Sequence, residues 1–407
     1  MNKTVDITIK EKYIKEYSEG YPLISLETIE NIDSLDEEGF ILDLYDNKKK
    51  FIAKAYYGRQ NKGYGWTLTR KKEEKIDKEF FRVKIEQALK NRDSYIKDNE
   101  TTAFRVFNGE GDGIGGLTID YFGNTASSVV EGFYMITWYS LGIYRFKDKI
   151  VEALKSCVEY TGIYEKKRFD TKGQYLDDKG DFICGEEANK PIIVKENSIK
   201  FAVYLDDGPM VGVFLDQKNV RKTLRDKYSK GKTVLNTFSY TGAFSVAAAL
   251  GGALKTTSVD LANRSRAKTK EQFEINGIDS AKQDIIVEDV FNYFKFAVKK
   301  AYKFDLVVLD PPSFARSKKH TFSVAKDYTK LLKEAITITN KNGIVVASTN
   351  AANVNMRKFR EFIDKAFKQL NLRYEIKEVY TLPNDFKVND KFKQGDYLKV
   401  VFIKRIG

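Results

Sequence analysis

From residue 190 onward the chain alternates short β-branched runs with longer amphipathic segments. No other feature limits the fold as much, because this is the pattern of a parallel sheet covered by helices. Thr233-Val234-Leu235-Asn236-Thr237-Phe238 reads as a first strand, and the helix from Ala243 to Leu250 that follows has small side chains suited to close packing on a sheet. A strand at 255–260 and a helix near 263–276 come next, then a strand at Ile285-Ile286-Val287 and a helix from Phe291 to Tyr302. Leu306-Val307-Val308-Leu309 makes a fourth strand and, after a long helix, Ile344-Val345-Val346-Ala347 a fifth. Beyond a helix at about 356–369, Glu375 to Thr381 and Leu398 to Lys404 are joined by a polar loop too short for a crossover helix, which predicts antiparallel pairing. The expectation is an α/β domain over residues 191–407 with a seven-stranded, mostly parallel sheet, entered through a hairpin between Ile192 and Tyr204.

The upstream half reads differently. Gly39 to Tyr45 and Phe51 to Tyr57 are alternating runs around Asp46-Asn47-Lys48, and Trp66 to Arg70 offers a further strand, so residues 1–72 form a small β-rich module. A helix from about Lys75 to Lys90, strands near Phe104 to Asn108, Leu117 to Phe122 and Ser128 to Thr137, and a helix near 142–156 predict an α+β middle domain over 73–190.

Composition narrows the chemistry. With 42% hydrophobic and 31% charged residues the chain is neither disordered nor fibrous. Its two cysteines, Cys157 and Cys184, and single histidine, His320, argue against a disulfide framework, a zinc site and a Ser-His-Asp triad, and no metal is expected. No stretch approaches the roughly 20 apolar residues that span a bilayer, and the N-terminus lacks an apolar signal core, so a soluble cytoplasmic protein with no membrane partner is expected. Residues 1–190 hold 31 Lys and Arg against 34 Asp and Glu, whereas 191–407 hold 39 against 23. That basic half favours a nucleic-acid partner, although a Lys-rich codon bias or a solvated helix face gives the same total.

Candidate site residues gather at strand ends, where an α/β sheet places its ligands. Asp310-Pro311-Pro312-Ser313-Phe314 leaves the fourth strand through two stiffening prolines, although such turns also occur in ordinary loops. Asn236-Thr237-Phe238-Ser239-Tyr240-Thr241-Gly242 closes the first strand and opens a helix, whose free backbone N–H groups can receive a carboxylate or phosphate. Asp260 lies eighteen residues after Gly242, near the spacing at which an acidic side chain grips ribose hydroxyls, although a strand-end aspartate can also serve only as a turn former. Asp289 closes the third strand, where it or Glu288 could also cap the next helix. Arg316, Lys318 and Lys319 follow on the Asp310 loop and suit the phosphates of a single-stranded or splayed nucleic acid, although a solvated basic loop reads the same, and His320 beside them reads as a surface residue.

These motifs, with Gly212-Val213-Phe214-Leu215-Asp216-Gln217-Lys218-Asn219-Val220-Arg221, the run Asn108 to Asp120 and Ile163-Tyr164-Glu165, resemble the RlmI/RlmK-type class I S-adenosylmethionine (SAM)-dependent 23S rRNA methyltransferases that carry an N-terminal PUA domain. The resemblance covers nearly the whole chain. It implies a PUA-like RNA-binding domain at 1–72, a Rossmann-like catalytic domain at 191–407, SAM as cofactor with S-adenosylhomocysteine (SAH) as product, 23S rRNA or a large-subunit precursor as partner, and a possible homodimer. It implies further that Asn236, Phe238, Ser239, Tyr240, Thr241 and Gly242 cradle the methionine part, that Asp260 and Leu261 lie at the ribose, and that Asp289 faces the adenine. Asp310 would sit by the methyl group with Pro311, Pro312 and Phe314, and Phe214, Asp216 and Gln217 would complete the wall.

One departure decides the expected chemistry. Members of the family that make 5-methylcytosine carry a cysteine after the fifth strand, whereas this chain reads Ala347-Ser348-Thr349-Asn350-Ala351-Ala352-Asn353 and has no cysteine after Cys184. Carbon 5 of cytosine is a poor nucleophile until a thiolate adds to carbon 6. A ring or exocyclic nitrogen needs no covalent help and guanine N7 mainly needs alignment with the methyl donor, so nitrogen methylation is expected, with the Asp310 carboxylate or the neighbouring backbone carbonyl accepting from the base edge and Phe314 either stacking on its face or filling the core. The competing readings are cytosine-C5 methylation by a thiol-free route and a non-enzymatic RNA-binding or assembly factor that retains the fold.

Overall fold

The computed structural model describes residues 3–30, 35, 37–60, 63–126, 131–169, 180–208, 210–316 and 321–407, with side chains left out at 314–316 and 321. The chain forms two compact units, one of Met1–Lys195, Val203–Val211 and Asn384–Gly395, the other of Glu196–Ala202, Gly212–Pro383 and Asp396–Gly407.

The second unit is built on a seven-stranded sheet. Its strands are β1 (Thr233–Thr237), β2 (Lys255–Asp260), β3 (Asp284–Val287), β4 (Phe304–Leu309), β5 (Thr339–Thr349), β6 (Arg373–Tyr380) and β7 (Lys399–Ile406). They lie in the order β3-β2-β1-β4-β5-β7-β6. All pairs from β3 to β5 are parallel, and β7 runs antiparallel to both β5 and β6. The order reverses between β1 and β4, which opens a crevice at their carboxyl ends.

Helices α1 (Ala243–Leu250), α2 (Arg264–Glu274), α3 (Val290–Lys299), α4 (Val324–Thr337) and α5 (Met356–Gln369) connect the strands. Tyr293, Phe294, Leu331, Leu332, Phe359 and Ile363 from α3, α4 and α5 form one core with Leu235, Val307, Val345 and Val401 of the sheet. β4 and the later half of β5 are covered on both faces and read as apolar runs, whereas β1 and β2 bury Asn236, Thr237, Thr256, Thr257 and Ser258 among their apolar residues. β5 begins five residues before the predicted start, since Thr339 to Gly343 is polar and extends the strand with Asn342 in a left-handed conformation (φ 63°).

The first unit holds two five-stranded sheets. One orders Thr4–Thr8, Ile41–Tyr45, Phe51–Gln60, Gly63–Thr69 and Leu23–Ile24, with only the first pair parallel. The other orders Asp181–Gly185, Gly162–Lys167, Glu131–Trp138, Leu117–Asn124 and Ala103–Asn108. Helices Lys78–Lys90 and Lys147–Cys157 share a core with this second sheet through Phe81, Ile85, Ile150 and Leu154. Two of its strands, Gly162–Lys167 and Asp181–Gly185, escaped the sequence reading. Gly162–Lys167 carries Glu165 and two lysines, and its polarity is accounted for by buried Glu165, which accepts from Trp138 Nε1 at 2.9 Å and Lys147 Nζ at 2.8 Å. Asn384–Gly395 leaves the connection between β6 and β7 and belongs to this unit. There Asn108 Nδ2 donates to the Lys387 carbonyl at 2.9 Å, and the Arg105 guanidinium lies over the Phe386 ring at 4.4 Å.

Candidate active site

The loop between β1 and α1 is held in an unusual shape. Phe238 (φ 53°), Tyr240 (φ 51°) and Gly242 (φ 79°) all take left-handed conformations, each costing a residue with a Cβ roughly 1–2 kcal/mol. Side chains and backbone around the loop hold it there. Ser239 N donates to the Val259 carbonyl at 3.1 Å, Gly242 N to the Ser239 carbonyl at 2.7 Å, and Thr241 Oγ1 to the Gly212 carbonyl at 2.7 Å. At Gly242 a Cβ would come within 2.5 Å of Thr269 Cγ2, so positive φ and close helix approach both demand glycine. Strain retained against such a bond network is a mark of functional loops.

Asp260, at the end of β2, is part of that network. Its Oδ2 accepts from Tyr240 N at 2.8 Å and its Oδ1 from Ala262 N at 2.9 Å. Leu261 beside it is exposed. Asp289 lies two residues beyond the end of β3 at Val287 and is the N-cap of α3, its Oδ1 accepting from Phe291 N at 3.0 Å and Asn292 N at 3.2 Å. Its hydrogen bonds are those of a cap and occupy one carboxylate oxygen.

Asp310 follows β4 directly. Gln217 Nε2 donates both to Asp310 Oδ2 at 3.3 Å and to Ser348 Oγ at 3.0 Å, the latter near the end of β5. Burial is the largest influence on the Asp310 carboxyl and pushes its pKa up to about 6, against the hydrogen bonds from Ser348 and Gln217 and the charge of Arg221 and together with that of Asp216. Gln217 is 4% exposed, and its Oε1 has no hydrogen-bond partner among the described residues; Asn236 Oδ1 is likewise buried and unpartnered. Pro311 is buried and Pro312 exposed. Ser313 Oγ donates to Asn350 Oδ1 at 2.5 Å, joining the loop after β4 to the loop after β5.

The segment Phe214 to Gln217 is fixed by a buried ion pair that the sequence reading did not single out. Arg221 donates to Glu196 through Nε at 2.7 Å and Nη2 at 2.6 Å, and Nη2 also reaches the Phe214 carbonyl at 2.6 Å. A planar, two-pronged contact of this kind fixes orientation as well as charge. The exposed Phe214 ring then lies 5.4 Å from that of Tyr240, while Asp216 Oδ2 accepts from the Tyr397 hydroxyl at 3.0 Å. Tyr328 OH donates to the Ser348 carbonyl at 2.8 Å from beneath. Arg221 had a signal, its place at the end of the Gly212 to Arg221 motif. Glu196, Ser348, Asn350 and Tyr397 had none, since their role exists only through partners 25 or more residues away.

Phe314–Arg316 pairs as a short strand with Thr321–Ser323. The side chains of Phe314 and Arg316, and Lys318, Lys319 and His320 altogether, lie outside the described residues. Among the described residues no group of three or more His, Cys, Asp or Glu side chains could hold a metal ion, and no helix is long and apolar enough to cross a membrane.

A strained loop at a helix N-terminus, acidic groups after successive strands and a carboxylate at the switch point describe a nucleotide-type crevice at the rim of a doubly wound sheet. Comparison with known proteins gives the class. Residues 153–378 match the family of S-adenosylmethionine-dependent methyltransferases and residues 7–70 match the PUA-like domain. The chain is 55% identical over 401 residues, 98% of its own length and 99% of the relative's, to the Bacillus subtilis (strain 168) protein named "Putative ribosomal RNA large subunit methyltransferase YwbD". It is 28% identical over 385 residues, 94% and 95% of the two chains, to Ribosomal RNA large subunit methyltransferase I of Aeromonas salmonicida (strain A449). The crystal structure of SMU.776 complexed with SAH superposes with a TM-score of 0.88 at 39% identity, covering 99% of this chain and all of that one. The protein belongs to the S-adenosylmethionine-dependent methyltransferase family. It is an enzyme, SAM is its cofactor, and its β-rich N-terminal module is PUA-like.

Proposed function

We propose that this enzyme methylates 23S rRNA of the large ribosomal subunit, or its precursor, on a base nitrogen, with guanine N7 the favoured atom. The observation that carries the reading is the Asp310 carboxylate, held by Gln217 after β4 and facing no sulfur nucleophile of its own unit, since both cysteines lie in the first. The relatives named as ribosomal RNA large subunit methyltransferases support the substrate class.

The rim residues fit SAM. Its α-ammonium group brings N–H donors, and Gln217 Oε1 and Asn236 Oδ1 are buried acceptors without one. Phe238 to Gly242 would hold the methionine part, Asp260 the ribose hydroxyls beside Leu261, and Asp289 the adenine edge with the oxygen left over from capping. Phe214, Asp216 and Gln217 would close the wall. Bound there, SAM supplies an electrophilic methyl group on a sulfonium.

The protein's own work is placement and charge. N7 carries an in-plane lone pair, so no base is needed to activate it, and alignment is the main demand. Attack from N7 leaves the purine cationic, and an ionised Asp310 beside it stabilises that charge in a water-poor setting. Phe314 would stack on the base, while Arg316, Lys318 and Lys319 would meet phosphates. The first unit would supply further RNA affinity through a PUA-like domain at 1–72 and an α+β domain at 73–190. The test is transfer of labelled methyl groups to 23S rRNA and to precursor particles from a deletion strain, followed by mass spectrometry of the nucleosides. The expected product is 7-methylguanosine; 5-methylcytidine, or RNA left unlabelled by a protein that binds SAH, overturns the proposal.

A further inference from the structure

Lys399 is a buried lysine that the reading above does not use. It opens β7 opposite Thr349, the last residue of β5, and is only 4% exposed. Its Nζ donates to the carbonyl of Ala351 at 2.9 Å, the same oxygen that accepts from Val354 N at 3.0 Å in the turn after β5. Burial draws its pKa down to about 8, and Asp396, three residues earlier, is the charge that opposes the shift.

An ammonium in such a place is costly to keep. One carbonyl and one neighbouring carboxylate repay desolvation poorly, and an apolar side chain of the same length usually fills such a position with equal or better stability. What an apolar side chain lacks is the second hydrogen bond that pins the Ala351 carbonyl. The residue immediately before that carbonyl is Asn350, exposed, with Oδ1 accepting from Ser313, three residues beyond Asp310. The fixed turn thus carries the side chain that bridges the exits of β4 and β5.

We propose that Lys399 is a positioning residue for the methyl-accepting base: it locks the turn after β5 so that Asn350 and Ser313 stand joined at the acceptor side of the crevice. This rests on the rRNA reading above. With its Oδ1 taken by Ser313, Asn350 keeps its two amide N–H donors for a carbonyl oxygen on the base edge, the group that lies next to N7 in guanine.

Full-length K399M, N350A and K399M/N350A are compared with wild type for SAH affinity by calorimetry, and for kcat and KM on unmethylated 23S rRNA at saturating SAM. K399M is expected to keep its Tm and bind SAH within about twofold of wild type, with kcat/KM for RNA lower by about 10- to 100-fold. N350A is expected to lose about tenfold, and the double variant to fall no more than about threefold below K399M alone, because both remove one placement. The proposal is overturned if K399M stays within about threefold of wild type, if its SAH affinity falls in parallel with turnover, or if the two losses multiply. Should K399M not fold, N350A alone decides, since its side chain is exposed: RNA kinetics within about threefold of wild type would sink the idea. A wild-type protein that binds SAH and methylates no RNA brings down the rRNA reading and this inference together, whereas an active wild type with silent variants brings down only the role of Lys399.

Discussion

Two glycine-bearing segments, Asn108 to Gly116 in the first unit with five glycines and Asn236 to Gly242 in the second with one, differ in what their surroundings leave unpaired. In the first, the space that glycine leaves is filled by the chain itself. A Cβ at Gly111 would lie 1.8 Å from the Lys387 carbonyl oxygen, and one at Gly115 would lie 2.1 Å from the Trp66 ring. Asp112 of the same run forms a two-pronged pair with buried Arg92, both bonds at 2.7 Å, and Arg92 Nη2 also reaches the Asp385 carbonyl at 2.7 Å. This run is a docking surface for Asn384–Gly395. In the second segment the left-handed residues are held by Asp260 and Val259 from the next strand, and the buried acceptor Asn236 Oδ1 is left without a donor. Glycine thus marks close approach by the protein's own chain in both segments, Lys387 and Trp66 in the first and Thr269 in the second, and what separates the two is the buried acceptor left unpartnered beside the second.

The contrast predicts that damage to the first segment shows as lost stability and damage to the second as lost catalysis. The largest effect is expected for Arg92→Met, which strands the buried Asp112 carboxylate and should cost about 3–5 kcal/mol in denaturant unfolding, while kcat per folded molecule stays near wild type. A variant equally stable but inactive would break the comparison. Next comes Asp310→Asn, with kcat lower by about 100-fold, or roughly 2.7 kcal/mol of transition-state stabilisation, and SAH affinity little changed. The same carboxyl sets a pH signature. Its folded pKa of about 6 is above the ordinary carboxylate value, so its contribution to stability is present in acid and lost as pH rises through about 6. Wild type should therefore gain turnover yet lose stability as Asp310 ionises, and Asp310→Asn should show neither change in a pH series of kcat and Tm.

A smaller effect, about 1–3 kcal/mol of stability, is expected for Gly111→Ala, whose new methyl must displace the Lys387 backbone; limited proteolysis within 384–395 would report it. The smallest belongs to Asp260→Asn. Amide for carboxylate keeps one acceptor for Tyr240 N and weakens charge-assisted bonding, so SAH affinity should fall about tenfold by calorimetry, or roughly 1.4 kcal/mol. A loss confined to thermal stability would instead move Asp260 to the structural side of the comparison.

Much of this was readable before any coordinates. The sheet with its antiparallel β7, the five connecting helices and the rim positions of Asp260 and Asp310 follow from short β-branched or apolar runs alternating with helical periods, even where β1 and β2 bury threonine, serine and asparagine. Glu196 with Arg221, Ser348 with Gln217, and Lys399 with Ala351 did not, because a side chain's partner depends on which distant segments the sheet order brings together. Asp289 was legible as an acidic residue near a strand end, while its capping bonds to Phe291 and Asn292 were a matter of local geometry.

The sequence alone determined the order of strands and helices, the absence of a thiol in the second half and the acidic residues near the carboxyl ends of β2, β3 and β4, since these depend on composition and on spacing along the chain. The tertiary structure decided what each of those groups touches: Asp310 shielded enough to titrate near 6, Gln217 left with an unpaired oxygen, and the Asn108 to Gly116 run spent on packing. Hydrogen bonding and desolvation act over a few ångströms of space, and a linear chain does not encode those distances until it has folded.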